Sequence, residues 1–334
     1  MKKRIIAALL LALLLITPIL SSCASEPHKR YVFGCFDTNG VIRDFSGSDK
    51  KDFEKRADEI EKLLSEYSKQ YDIYFEYSGI NNLKTVNENA GRGAVKVDGA
   101  IIDLLEFGKE MYALTRGEVN IAFGAVLRIW HEFREAGVGV PDKAELEAAA
   151  LHTDIDDVVI DREAGTVELL DPEMSLDVGA IAKGYAVERA ARYIESMGYG
   201  KWTLDIGGNV RTVGIPEAEE GLPCAIRNPD GSGNYLATLS LKNSALITSG
   251  NYERFYTVDG VRYHHIIDKD TLFPKNTYSS VSVHAPSSAT ADALSTAVFN
   301  MDEAEVREFI LTLSQTEFII LRTDGNLIRL SSED

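Results

Sequence analysis

The sequence predicts an α+β fold of mixed and antiparallel sheets with packed helices, on three observations. Apolar residues recur at helical spacing in several separate segments. Short β-prone runs come in pairs joined by tight turns, Asp259-Gly260 being the clearest two-residue hairpin signal. No GxGxxG fingerprint follows a strand, which argues against a doubly wound dinucleotide fold.

Taken in order, residues 31–44 read as strand with alternating character. Ser48 or Asp49 caps a helix reaching about residue 67, with Phe53, Ala57, Ile60, Leu63, Leu64 and Tyr67 at helical spacing. Residues 71–89, rich in Asn and Tyr, read as a loop with short turns. Asp98 caps a second helix that turns Ile101, Leu104, Leu105, Met111 and Leu114 inward. Residues 117–130 are apolar with a third helix towards their end; 137–142 break it and 143–151 form a short polar helix. Residues 158–160 and 166–170 pair as a hairpin. Residues 179–197 form a strong helix stopped by Gly198. Strands at 202–206 and 210–213 flank Gly207-Gly208. Further strands fall at 224–227, 236–241, 245–248, 254–258, 261–267 and 281–284. Helices at 289–299 and 302–313 precede two last strands, 318–321 and 327–330.

The N-terminus is organised differently. Lys2, Lys3 and Arg4 precede an apolar run from Ile5 to Ile16, a basic n-region and h-region too short to span a bilayer comfortably. Leu20-Ser21-Ser22-Cys23 looks like a bacterial lipobox, with residues 1–22 as signal peptide and Cys23 as the lipidated new N-terminus. Residues 23–30 then read as a tether and 31–334 as a single catalytic domain, placed on the outer face of the cell membrane by the anchor. Removing residues 1–22, with three cations and no anion, takes the formal charge from −17 to −20. So acidic a chain is not a general nucleic-acid binder, which needs a basic face for phosphates. Besides Cys23, only Cys35 and Cys224 remain, too few for a disulfide scaffold, and both are expected as free thiols.

Four segments carry chemistry. Residues 175–184 run from a strand end into a helix; small residues there let backbone N–H groups approach an anion, and Lys183 adds a point charge. Asp177 is placed to accept from a ligand or to cap the helix. Tyr185 stands where a P-loop requires Lys-Ser/Thr, so this is not one. Leu204-Asp205-Ile206-Gly207-Gly208-Asn209 is a second tight turn that allows close backbone approach to a ligand. Thr248-Ser249-Gly250 ends a strand with hydroxyls. His264-His265-Ile266-Ile267-Asp268 follows; adjacent strand residues face opposite ways, so only one histidine enters a shared pocket, and a turn near Ile267 would bring Asp268 beside His265 as base and carboxylate. Finally, Asp292 and Thr296 lie one helical turn apart, hard oxygen donors suited to Mg2+. Anion cradle, base and hard metal site together fit phosphoryl-group chemistry.

These residues resemble the FAD:protein FMN transferases, the ApbE family, over about residues 31–330. The matches are residues 176–187 (LDVGAIAKGYAV), 205–208 (DIGG), 247–252 (ITSGNY), 265–268 (HIID) and 291–297 (ADALSTA), in the family's order. The resemblance implies an enzyme that uses Mg2+ and takes FAD as substrate. It would transfer FMN to a Thr or Ser hydroxyl of an acceptor flavoprotein subunit and release AMP. By the same resemblance, His265 is the base, and Asp292, Thr296, Ser295 and the Ala180 carbonyl hold the metal. The flavin nucleotide is contacted by Phe36, Thr38, Tyr74, Glu118, Val119, Asn120, Asp177, Lys183, Asp205, Gly207, Gly208, Thr248, Ser249, Gly250, Ile266 and Asp268, with Tyr185 and Tyr252 as further stacking candidates. The chain departs from the family pattern at Phe36, Asn120, Asn209, Lys269 and Leu272-Phe273, mainly on the flavin and rim side. The same site with water as nucleophile would be an FAD pyrophosphatase, and without turnover a flavin-binding lipoprotein.

Overall fold

The structure, a computed structural model, describes residues 26–333. The expected lipobox, Cys23 and the next two residues lie outside the described residues; the expected tether, 23–30, is shorter than read, because residues 28–30 already form strand and pair in the sheet. At the N-terminal end, β1 (His28–Cys35) and β2 (Thr38–Asp44) form a hairpin. Next comes α1 (Lys50–Gln70), whose N-cap Asp49 accepts from the Lys51 N–H. Phe53, Ala57, Ile60, Leu64 and Tyr67 are buried along it, as their spacing predicts. On β1, Arg30 pairs with Glu54, Asp58 and Glu61 of α1, tying the sheet edge to the helix.

A short helix, α2 (Leu83–Glu88), interrupts the stretch expected as loop, with Asn82 accepting from Thr85 N–H as its cap. The middle of the chain holds β3 (Val95–Lys96), α3 (Gly99–Leu114), α4 (Gly124–Ala136), α5 (Lys143–Ala150) and the hairpin β4 (Val158–Asp161) and β5 (Thr166–Leu169). Leu114, expected inward, is exposed at the C-terminal end of α3. The helix predicted from Gly179 starts three residues later, as α6 (Ala182–Ser196), because residues 179–181 form a turn instead.

The rest is mainly strand: β6 (Trp202–Ile206), β7 (Asn209–Val213), β8 (Leu222–Arg227), β9 (Tyr235–Leu241), β10 (Ala245–Gly250), β11 (Phe255–Val258), β12 (Val261–His264) and β13 (Tyr278–Ala285). The chain then runs through α7 (Ser288–Asn300) and α8 (Glu303–Ile310) to β14 (Glu317–Arg322) and β15 (Leu327–Ser331). β12 stops at His264, shorter than predicted, because the backbone turns before residue 268.

Eight strands form one sheet in the order β1-β2-β6-β7-β10-β13-β14-β15, with every pairing antiparallel. Register assigns its faces. Ile42, Leu204, Arg211 and Ala245 are successive partners on one face, in the core shared with α1, α6 and α7. Val41, Asp205, Val210 and Leu246 are successive partners on the other face. The β8–β9 hairpin covers part of that face through Ile226, Leu239 and Leu241.

The helix layer is joined to the sheet by a buried ion pair. Glu188 of α6 accepts from Arg211 of β7 at 3.1 Å and from the Ser288 N–H of α7 at 2.8 Å. With every partner satisfied, this buried charge fixes where α7 begins. Cys35 and Cys224 are both free thiols. Among the described residues, no helix is long and apolar enough to cross a membrane.

Candidate active site

A cleft of about 1360 Å³ opens between the β1–β2 turn, the loop after α1, α4, the start of α6, the uncovered sheet face and the segment after β12. That exceeds the roughly 300–1,000 Å³ of a drug-sized pocket.

One corner holds hard oxygens. Asp292 on α7 is buried, and its Oδ2 accepts from the Gly184 N–H at 2.7 Å. In a regular helix that N–H would bond the Ala180 carbonyl four residues back; here it does not, so Ala180 O keeps its lone pairs for another partner. Thr296, one turn beyond Asp292, lines the same corner. Burial pushes the Asp292 carboxyl above the usual range, while Lys183, the Gly184 N–H and Asn209 pull it back. Asn209 is almost fully buried beside Asp292, near enough to favour its ionised form, but neither atom of its amide makes a hydrogen bond of good geometry. An unsatisfied buried amide beside a carboxylate, with a carbonyl and a hydroxyl close by, fits a hydrated hard cation. Among the described residues, no three His, Cys, Asp or Glu side chains converge as metal ligands. One carboxylate with neutral oxygens is a donor set that a small hard cation can accept.

The glycine turn adjoins this corner through Lys183. Gly207 and Gly208 both have positive φ, 55° and 82°, as a type I′ hairpin between β6 and β7 requires. A Cβ on Gly207 would lie 2.6 Å from the Thr38 side chain, so the turn packs against the β1–β2 hairpin with only that side chain between them. Lys183 Nζ donates to the Gly207 carbonyl at 3.1 Å, joining α6 to the turn.

His265 lines the same cleft. Its backbone N–H donates to Arg254 O at 3.1 Å, and Nδ1 lies 3.3 Å from the same carbonyl. A carbonyl only accepts, so the proton sits on Nδ1 and Nε2 presents a lone pair. Burial, helped by the charges of Arg254 and Arg134, pushes the His265 pKa down to about 3, so the ring is neutral at ordinary pH.

The structure brings nearly all the predicted site residues to this cleft: Phe36, Thr38, Tyr74, Glu118, Val119, Asn120, Asp177, Ala180, Lys183, Asp205, Gly207, Gly208, Thr248, Ser249, Gly250, His265, Ile266, Asp292 and Thr296. Two do not line it. Asp268 does not orient His265; its Oδ1 accepts from Thr271 N–H at 2.6 Å and Asp270 N–H at 3.2 Å, so the carboxylate shapes the turn. Ser295 is fully buried behind the wall, donating to Asp292 O and bonded to Ser249 Oγ, each at 2.8 Å, so it supports the cleft instead of facing it. Tyr185 packs between Tyr71 and Phe107, away from the cleft, while Tyr252 lines it. The Asn120 amide is committed to Thr153 O and Ala122 N–H. Lys269, a departure from the family pattern, pairs with Glu118 at 3.3 Å. Asp177 Oδ1 accepts from the Gly179 N–H at 2.8 Å; burial raises its carboxyl, while Arg254, Arg134 and His131 pull it back.

A family model described as the ApbE family matches residues 36–320. This chain belongs to the ApbE family. An FAD:protein FMN transferase of Treponema pallidum is 37% identical over 235 residues, which is 65% of this chain and 64% of that protein. One of Klebsiella pneumoniae is 30% identical over 250 residues, 74% of this chain and 76% of that protein. Among solved structures, the ApbE protein of Thermotoga maritima matches with a TM-score of 0.81 at 28% identity, over 92% of this chain and 98% of that one. Flavin transferase ApbE from Vibrio cholerae matches with a TM-score of 0.74 at 26% identity, over 92% and 97%.

This ApbE-family cleft also holds residues the sequence reading passed over. Leu127, Trp130, His131 and Arg134 of α4 all line it. Their spacing of three, four and seven along one helix face was the available signal. Arg134 donates to His131 Nδ1 at 2.8 Å, and the His131 ring lies 4.9 Å from that of Tyr74. Among the described residues, Lys183, Arg134, Arg227 and Arg254 line the cleft without a carboxylate within salt-bridge distance. The lining is of mixed sign, because Asp37, Asp72, Asp177, Glu253 and Asp292 line it as well, so these four cations are local points of positive charge on an acidic chain.

Proposed function

We propose that this flavin transferase moves the FMN part of FAD to a Thr or Ser hydroxyl of an acceptor protein and releases AMP, with Mg2+ as its metal. The observation that carries the reading is that a neutral histidine base and a cluster of hard oxygens line one cleft. Asp292, Ala180 O and Thr296 would hold the metal, which when bound neutralises charge on the pyrophosphate. Nε2 of His265 takes the hydroxyl proton as the oxygen attacks the FMN phosphorus. A new P–O bond forms, the pyrophosphate P–O bond breaks, and the electron pair leaves with AMP. Lys183 and the backbone of the Gly207-Gly208 turn hold the anionic nucleotide. Asp205 and the aromatic rings of Phe36, Tyr74 and Tyr252 are placed to contact the rest of FAD.

The membrane location belongs to the same reading. Residues 1–22 act as an export signal, Cys23 carries lipid, and residues 31–334 work as one domain outside the cytoplasmic membrane. Incubation with FAD, Mg2+ and a hydroxyl-bearing acceptor protein tests the reaction. The expected result is an acceptor heavier by FMN less one water, with AMP released in equal amount. Free FMN and AMP with an unmodified acceptor would show hydrolysis instead and overturn the transfer.

A further inference from the structure

β1 is the edge strand of the eight-stranded sheet, and its outward residues are apolar. Tyr31 is 61% exposed and Phe33 70%, and their rings stack at 6.4 Å. Lys29, two residues earlier on the same face, is also exposed. Buried Val32 and the Arg30 ion pairs hold the strand against α1, so these aromatics sit on a fixed platform. Tyr31 pairs with Val41 and Val41 with Asp205, which puts the platform on the same sheet face as the cleft. The chain directly ahead of β1 is the apolar run and Cys23. Only five positions separate Cys23 from His28, a reach of about 18 Å at full extension.

We propose that Tyr31 and Phe33 insert into the headgroup–acyl boundary of the bilayer that carries Cys23, with Lys29 at the headgroups; this rests on the reading of Cys23 as lipidated. Amphipathic and aromatic rings beside a cation are suited to that boundary. The insertion turns one sheet face to the membrane, and the cleft with it. The enzyme thereby reaches hydroxyls presented close to the bilayer surface.

Depth-dependent quenching tests this on the full lipidated chain in phosphatidylethanolamine–phosphatidylglycerol vesicles. The Phe33→Trp variant reports on β1, and the Leu327→Trp variant, on the opposite edge strand, is the control. The native Trp130 and Trp202 are buried and give a constant background measured on the parent chain. Lipids brominated near the headgroups are expected to quench most of the emission added by Phe33→Trp and none of that added by Leu327→Trp. Equal quenching of the two variants on vesicle-bound protein overturns the proposal. So does shielding of the β1 reporter that needs protein concentration or added acceptor in place of lipid, which would make the platform a protein interface. Intact mass separates the failures. A chain without lipid on Cys23 removes the anchor reading and this proposal together, while a lipidated chain whose β1 reporter stays unquenched removes only this proposal.

Discussion

Oδ2 of Asp292 accepts a 2.7 Å hydrogen bond from the backbone N–H of Gly184, so a carboxylate on α7 caps the first turn of α6. The contact is possible because Gly184 has no side chain. A Cβ there would lie 2.3 Å from Asp292 Cβ and 2.5 Å from Ser288 O. One hydrogen bond thus places the only carboxylate of the proposed metal corner and frees the Ala180 carbonyl beside it.

Gly184→Ala forces the two helices apart. Overpacking of this kind costs about 1–3 kcal/mol. Urea unfolding is expected to show that loss, together with reduced turnover because Asp292 is displaced. Parent stability and parent turnover in the variant would contradict the packing argument.

Asp292→Asn keeps the shape and still accepts from Gly184, so the fold survives. The charge is lost, and turnover of FAD is expected to fall by at least about 100-fold. Calorimetric titration with Mg2+ should show the matching loss of affinity. A variant that binds Mg2+ and turns over like the parent would remove Asp292 from the metal corner.

His265→Ala is expected to slow transfer roughly 10²–10⁴-fold, the usual share of a general base. The pH profile is the sharper check. The His265 pKa is pushed below the ordinary value of 6.5, so the ring remains a base at pH values where a free histidine is protonated. The acid limb of kcat/KM attributable to His265 therefore lies below pH 6.5, and a midpoint at or above 6.5 would refute this environment.

His264 governs stability instead. It is buried, accepts from Ile266 N–H on Nδ1 and contacts Lys275 O through Nε2, and burial pushes its pKa down to about 4. The unfolded chain takes up this proton near pH 6.5 and the folded one only near pH 4. The stability is therefore full above 6.5 and is lost as pH falls through that window, by on the order of 3 kcal/mol at most. His264→Gln should flatten the slope of unfolding free energy between pH 6.5 and 4.

Much of the fold is legible along the chain because its signals are local. Asp49 followed by the spacing from Phe53 to Tyr67 predicts α1, and the Asp259-Gly260 turn, both residues at positive φ, predicts the β11–β12 hairpin. Where the reading failed, the local signal was too short or had a rival. α2 has six residues, under two helical turns, so its period could not show. Asp268 sits three residues from His265 and is chemically fit to orient it, but the N–H groups of Asp270 and Thr271 claim its carboxylate first. Arg134 and Arg254 carried no motif, and only folding brought them to the cleft.

By itself the sequence determined the element types, the tight turns and the identity of the residues able to hold a cation or take a proton. Periodicity, caps and turn chemistry act over a few residues and survive without tertiary context. Only the tertiary structure decided which of those residues meet. Asp292 and Gly184 are 108 residues apart. Their contact depends on how closely α6 packs on α7 and on the buried Glu188 that fixes the start of α7. Likewise, His264 ends β12 with its ring in the core, while His265 lies just past the strand and lines the cleft, its backbone N–H and ring both at the Arg254 carbonyl, a placement that alternation alone leaves open.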